Sequence, residues 1–519
     1  MMGQRQFAPK LFYQFSLESL VPETHLLRRI AAAVDFTFIR PLCRDYYSTT
    51  GQPSIDPVVL FKMLLVGYLY GITSERRLAQ EVELNLAYRW FVGYDLDEAV
   101  PDHSVLSKAR ARLGPEVFEE FFRCSITLCR EAGLLSAGPV YVDSTLFQAA
   151  AAVESLVRRD EDLPPPLSVG EYLERLNLER LNKESEAPGV PPSAASEPTS
   201  SPEAPPAEGP PEQPPRTRRP NQDLQSRTDP EATLVNRPAF GRHLAYKAHV
   251  AVAGTRGQVI TAIVASTGAD ADEHYLADVL WHHRRLSHLT VSEVVADAKY
   301  GTAFNYEHLE HSGVTAFIPS TRFGHPHTGI WGAAHFKWLA DEDVYLCPAG
   351  ERLRRAGRME ATHRIRYQAP AGVCRECPFR PQCAPSGRSR SLHRQLVQDL
   401  IEAATERTAS PLGKRRLRER QVRIEGTFGL AKELHGLRRT RFRGTARVQI
   451  QLWMTAAAMN IKRAVRQTTG RTSPQGLSST HSRFGATPHQ ASQNCRSSYR
   501  CPNSRRSPRS HPSLLSHLA

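Results

Sequence analysis

Two short apolar runs in this chain each lead into an aspartate, and that pairing constrains the fold more than any other feature. GPVYVDSTLFQAAA (139–152) carries Asp143 and SEVVADAKYG (292–301) carries Asp297, each at or near the C-terminal end of a β-rich stretch. A carboxylate is poorly suited to burial unless a partner offsets its charge. In an open α/β sheet, strand ends are where ligands bind. The segments around these runs follow a regular order. HLAYKAHVAVAG (243–254) and QVITAIVASTG (258–268) read as strands joined by a turn at Gly254–Gly257, and DEHYLADVLWHHRRL (272–286) as an amphipathic helix. The Asp297 strand, the helix FNYEHLEHSG (304–313) closed by Gly313, and the strand VTAFIPS (314–320) come next. The order is β-β-β-α-β-α-β. A less regular insert over about 321–410 precedes a long helix from about Leu412 to His435, which carries Glu425, with Ile424, Phe428 and Leu430–Ala431 on its packed side. Expected is a mixed sheet flanked by helices over 136–154 and 226–465.

Residues 1–135 read instead as a separate all-α region. Asp56 precedes a helically spaced run (Val58, Val59, Leu60, Met63, Leu64, Tyr68) that Gly71 breaks. Thr73 and Ser74 suit the cap of a second helix, SERRLAQEVELNLAYRWF, which ends at Gly93. Asp102 opens a third, DHSVLSKARARLG, and PEVFEEFFRCSITLCREAG forms a fourth. Short helices with tight glycine turns fit either a helix-turn-helix unit, with 104–112 as a candidate reader, or an ordinary bundle.

Composition marks the boundaries. Between Pro188 and Pro220, 12 of 33 residues are proline, so 155–225 cannot bury enough apolar surface to order itself. Residues 466–519, rich in Ser, Arg, Pro and His, read as a disordered basic tail. The net charge is +14, yet Glu433 is the last acid, and the 86 residues after it carry 15 Lys/Arg. The basic excess is therefore C-terminal: a polyanion-binding segment or a solvated tail. The apolar run Val58 to Ile72 contains Lys62 and is too short to span a bilayer, so no membrane association is expected. The start MMGQRQFAPKLFYQF shows no secretion signal, and nine cysteines is an odd number, so reduced thiols in a cytoplasm are expected.

Three converging carboxylates repel one another, and hard divalent cations resolve the repulsion. Two Mg²⁺ (or Mn²⁺) ions held by Asp143, Asp297 and Glu425 would clamp the attacking and leaving oxygens of a phosphoryl displacement. Taken singly, each acid could equally be a helix cap or an ion-pair partner. Cys347, Cys374, Cys377 and Cys383 have the spacing C-x26-C-x2-C-x5-C, which suits either a structural Zn²⁺ knuckle or four unliganded thiols. Cys43, Cys124 and Cys129 read as core residues, and His274, His282 and His283 as surface or packed helix residues.

Together these segments resemble the DDE transposases of bacterial insertion sequences. GQPSIDPVVLFKMLLVGYLYGITSERRLAQEVELNLAYRWFVGYDLDEAVPDHSVLSKARARLG is similar to their InsH-type N-terminal domain. YVDSTLFQAAA resembles the first-aspartate motif (Asp143), and VVADAKYGTAFNYEHLEHSGVTAFIPS the second (Asp297, then Tyr300 and Gly301). RIEGTFGLAKELHGLRRTRFRG resembles the terminal block, with Glu425, Phe428 and Lys432. The family's arginine four residues before the glutamate falls here on Gln421, flanked by Arg420 and Arg423. The resemblance implies a ribonuclease-H-like domain in which Asp143 bridges two metals that Asp297 and Glu425 complete. Lys432, Arg438, Arg439, Arg441 and Arg443 would contact phosphates, although they could also serve in helix packing. It further implies a nucleoid-associated transposase that cuts the terminal inverted repeats of double-stranded DNA and joins them to target DNA as a homo-oligomer. A catalytically inactive remnant that only binds the repeats, or a nuclease of the same fold, are the alternatives.

Overall fold

The computed structural model describes Met2 and residues 14–48, 50–51, 54–159, 220–254, 258–320, 330–359, 364–370, 372–385 and 389–469. Residues 470–519 of the expected tail, and 160–219 of the proline-rich segment, lie outside the described residues, while 466–469 of that tail end the last helix.

Eight helices come first: α1 (Leu17–Leu20), α2 (Leu26–Ala33), α3 (Ile39–Cys43), α4 (Pro57–Leu69), α5 (Glu75–Leu84), α6 (Leu86–Val92), α7 (His103–Arg112) and α8 (Pro115–Glu131). Their starts follow from capping chemistry. Asp56 accepts from the Val58 N–H with Pro57 in the first turn, Ser74 accepts from Arg77 N–H, and Asp102 from Ser104 N–H. The stretch expected as one helix over 74–91 is two. Asn85 ends α5 and its side chain caps α6 by accepting from the Ala87 and Tyr88 amides, the local competition with helix bonding that asparagine favours.

The central sheet runs β6 (Val259–Thr267), β5 (Gly241–Ala253), β1 (Val140–Gln148), β7 (Glu293–Val295), β8 (Thr315–Phe317), with β4 (Thr233–Arg237) also pairing β5. β6, β5 and β1 pair antiparallel, while β1, β7 and β8 are parallel. The sheet is therefore mixed, as the alternating and the continuous apolar runs together imply. On one face Val140, Val142 and Ala251 pack with α9 (Leu276–Ser287) and α10 (Ala303–His311). The order expected between 243 and 320 is present, with β4 added.

On the other face the sheet and the N-terminal helices share a single core. Phe61, Leu65, Phe118 and Phe122 cluster with Tyr141, Val250, Ile260 and the last helix, α13 (Thr445–Thr469). Within α13, residues 451–461 are all buried, because α8, α4, α2 and β6 surround it. Asn460 fixes its register: the side-chain oxygen accepts from the Ile260 N–H at 3.0 Å and the amide donates to the Ile260 carbonyl at 2.9 Å.

Two further differences from the sequence reading concern strands. The ends of the proline-rich stretch form a ladder, β2 (Leu156–Arg158) with β3 (Leu224–Ser226). The insert expected to be less regular contains a five-stranded antiparallel sheet: β9 (Lys337–Leu339), β10 (Val344–Leu346), β11 (Arg352–Met359), β12 (Arg364–Gln368) and β13 (Ser391–Gln395). Phe336, Tyr345, Leu353, Tyr367 and Leu392 form its own small core. Two helices then lead back, α11 (Gln398–Ala409) and α12 (Pro411–Leu434), the latter matching the long helix expected from about Leu412 to His435.

Candidate active site

Asp143 is the fourth residue of β1, not its tip, because Thr145 and Phe147 continue the inward alternation and the pairing with β5 runs on to Gln148. Asp297 follows β7 directly and caps the turn at Ala298–Tyr300, accepting from Lys299 N–H at 3.1 Å. β1 and β7 are parallel neighbours with Tyr141 opposite Val295. The pairing ends at Val295, so Asp143 continues along β1 while Asp297 opens the turn just beyond β7, close enough for its charge to act on Asp143. The Asp143 carboxyl is pushed above its ordinary range by burial, and the Asp297 charge adds to the rise; the Arg420 guanidinium and the Ser144 amide oppose it.

A buried ionic network supports the pair. The Ser144 amide donates to Asp143 at 2.7 Å and its hydroxyl to Asp272 at 2.8 Å. Asp272 is 4% exposed and bound by Lys247 at 2.9 Å, and Lys299 reaches both Asp272 (3.5 Å) and Asp297 (3.9 Å). The Tyr300 hydroxyl is buried without a hydrogen-bond partner and held far above its usual range, first by burial and then by the charges of Asp143, Asp272 and Asp297. Sequence reasoning missed Asp272 and Lys247. Both lie in stretches that read as an ordinary strand and helix start, and only the fold brings them under Ser144.

The third expected acid is placed apart. Arg420 of α12 donates to Asp143 at 2.6 Å, and Arg423 donates to the Gly254 carbonyl at 2.7 Å. Ile424, Thr427 and Ala431 are buried on that same side. Five residues beyond Arg420 the helix has turned by about 140°, and Glu425 is exposed. Among the described residues no group of three or more His, Cys, Asp or Glu side chains stands close enough to hold a metal ion. The helix acid facing the strand is Glu419, which accepts from the Tyr141 hydroxyl at 2.6 Å and from Arg415 and Arg416 at 2.9 and 3.2 Å; those bonds hold its carboxyl down at about 2.

The basic residues after Glu425 are largely engaged by the protein itself. Arg441 lies over the Tyr68 ring at 3.9 Å and donates to the Ile72 and Gly67 carbonyls at 3.0 and 3.4 Å, so it clamps the end of α4 rather than a phosphate. Two glycines permit this crossing: Gly71 (φ +67) meets the Leu434 carbonyl, and Gly436 (φ +72) meets Thr73. Arg439 and Arg443 are exposed but donate to the Ala149 and Ala150 carbonyls at 3.3 Å, and Arg438 pairs with Glu433. Lys432 is half-buried, its amine pushed down by burial and by Arg438.

All four cysteines of the insert are reduced and half-buried, and Cys347, Cys374 and Cys383 border the small core of the five-stranded sheet. The Glu351 amide donates to Cys347 Sγ at 3.2 Å and the Arg390 amide to Cys374 Sγ at 3.5 Å. The Cys383 thiol is pushed up chiefly by burial, opposed by Arg390, and Cys374, Cys347 and Cys377 add to the rise. Cys43 and Cys129 are core residues, as expected, and Cys124 is half-buried. His283 is buried against Thr261.

The chain matches the family model "Transposase domain (DUF772)" over residues 15–112, which spans α1 to α7. It matches "Transposase DDE domain" over residues 346–465, which takes in the cysteines, Glu425 and α13 but neither aspartate. The two matches, one at each end of the chain, support an insertion-sequence DDE transposase. No curated protein matches it. Among the described residues no helix is long and apolar enough to cross a membrane.

Proposed function

We propose that this chain is a metal-dependent transposase of ribonuclease-H-like fold that hydrolyses the phosphodiester at insertion-sequence ends and joins the freed 3′-hydroxyls to target DNA. The observation that carries the reading is the approach of Asp143 on β1 to Asp297 just beyond its parallel neighbour β7, in a chain that matches two transposase family models. The strand order β6-β5-β1-β7-β8, with the first three antiparallel and the last three parallel, supports the fold. Asp143 and Asp297 would hold Mg²⁺ (or Mn²⁺). Their oxygen donors are hard, Asp143 is charged at a cost, and the orphaned Tyr300 hydroxyl faces the same negative field. Bound there, a pair of ions would activate the attacking oxygen and stabilise the leaving one.

Glu425 is the third carboxylate of this proposal. Glu419 has its oxygens committed to Tyr141, Arg415 and Arg416, whereas Glu425 is exposed to solvent. Bringing Glu425 to Asp143 requires Arg420 to leave and α12 to turn, which assigns that movement to the DNA-bound state. Lys247, Asp272 and Lys299 fix the two aspartates and balance their charge. The N-terminal helices would hold the terminal inverted repeats, with two copies of the chain assembled on a pair of ends, and exposed Arg439 and Arg443 would be the phosphate contacts nearest Glu425. Cys347, Cys374, Cys377 and Cys383 would be the ligands of a structural Zn²⁺.

The Arg420–Asp143 pair also favours a second reading, a chain that binds inverted repeats without cutting. One experiment decides between them: Mg²⁺-dependent nicking of a duplex carrying the element's ends. Asp143→Asn and Glu425→Gln are expected to lower cleavage at least 1,000-fold, an order-of-magnitude figure for a lost metal-held reaction centre (~4 kcal/mol), and to leave gel retardation intact. Glu419→Gln is expected to keep most of the activity. Wild-type protein that retards but never nicks the duplex would establish the inactive reading.

A further inference from the structure

The five-stranded sheet of the insert has one face that its own core does not use. Directly opposite residues on neighbouring strands share a face, so the pairing separates the two sides. Tyr345 and Leu353, and Tyr367 and Leu392, pair on the core side. On the other side Lys337 and Arg352 both stand opposite Leu346, Arg354 stands opposite Gln368, and Arg366 stands opposite Gly357 and His393. Arg364 is two residues from Arg366 and so lies on that side as well. Lys337, Arg352, Arg354 and Arg366 are exposed. The acids near this face stand at one edge, where Glu342 pairs with Arg352 at 2.9 Å and Glu351 lies beside it. The His393 imidazole is pushed down by burial and by Arg364 and Arg366. Arg355 and Arg358 lie opposite Tyr367 and Ile365 on the core side, but the free face carries the larger share, and like charges on neighbouring rungs destabilise a ladder.

We propose that this face, centred on Arg354, Arg364 and Arg366, binds the phosphate backbone of duplex DNA. The occupant follows from charge complementarity and from guanidinium geometry, whose planar fork suits phosphate oxygens. Phosphate contacts set register without reading sequence, so the surface would hold DNA in place while recognition lies elsewhere. This inference rests on the reading of the chain as a DNA-acting protein, but not on the catalytic carboxylates.

The test uses the full chain and a short mixed-sequence duplex, with affinity measured against salt concentration. Each lost phosphate contact flattens the slope of log affinity against log salt by about 0.9. The double variant Arg354→Gln/Arg366→Gln is expected to flatten it by roughly 2, while Arg237→Gln, exposed on β4, leaves it unchanged. Lys337→Gln/Arg364→Gln gives an independent reading on the same face should the first variant melt early. Unchanged slope and affinity in either variant, with melting as in the wild type, would overturn the surface and leave the transposase reading standing. Wild-type protein with no salt-dependent affinity for any duplex would overturn both.

Discussion

At the scale of single residues, charge is placed where it costs stability. The Asp143 carboxyl titrates above its ordinary range in the folded chain because burial outweighs Arg420. The folded state therefore binds a proton more readily than the unfolded one, and this residue's contribution to stability declines as pH rises from about 4 through its folded value. Asp143→Asn should hold or raise the melting temperature at pH 7, a shift that calorimetry would read, and added Mg²⁺ should raise that of the wild type but not of the variant. Arg441 works in the opposite sense. Arg441→Ala would remove the arginine donor from the Ile72 carbonyl, take one of two donors from the Gly67 carbonyl and remove the cation from the Tyr68 ring. The expected loss is about 2–4 kcal/mol, visible as an earlier urea midpoint with unchanged slope. The two aspartates were legible in the sequence because an acid ending an apolar run is conspicuous. Arg441 was not, because an arginine in an arginine-rich run gives no sign of which carbonyls it will meet.

At the scale of elements, legibility followed capping and periodicity. α4, α7 and α8 could be read from Asp56, Asp102 and the Gly114–Pro115 step. β5 and β6 could be read from their long apolar alternation. The sheet β9 to β13 could not: four of its five strands have five residues or fewer, and only their pairing supplies a core. The face of α12 was equally hidden. Its sequence is polar on most sides, so nothing local showed that Arg420 would face the strand and Glu425 the solvent. The cysteines belong to this scale too, because three of them border the small core. Purified protein is expected to carry about one zinc per chain by elemental analysis. Cys374→Ser should lower that content and destabilise the insert, as seen by faster proteolysis between α10 and α11. Wild-type protein without zinc would identify the cysteines as plain core thiols.

Across the whole molecule, the division at residue 135 that composition suggested falls inside a continuous core, since α4 and α8 pack with β6 and α13. α13 escaped attention as an element because its run of alanines and apolar residues is buried on every side and so lacks the one-sided pattern of a surface helix. The two regions should consequently melt in one transition, with an acid-sensitive foot. His283 on α9 and His435 after α12 are both buried and held down at about 4, chiefly by burial. Each stays neutral in the folded chain but gains a proton near 6.5 once unfolded, so their contribution is complete above that value and fades as pH falls toward 4. Several kcal/mol are at stake for the pair. A melting curve as stable at pH 4.5 as at pH 7 would refute this assignment.

The ladder of β2 with β3 closes a doorway: the chain departs at Arg158 and returns at Leu224 on facing rungs. Whatever length of polypeptide is spliced between those two points, the sheet carrying Asp143 sees the same pair of ends. A fluorescent protein or affinity handle inserted there should leave the rest of the molecule undisturbed, and natural variants can lengthen or shorten this stretch without retuning the scaffold.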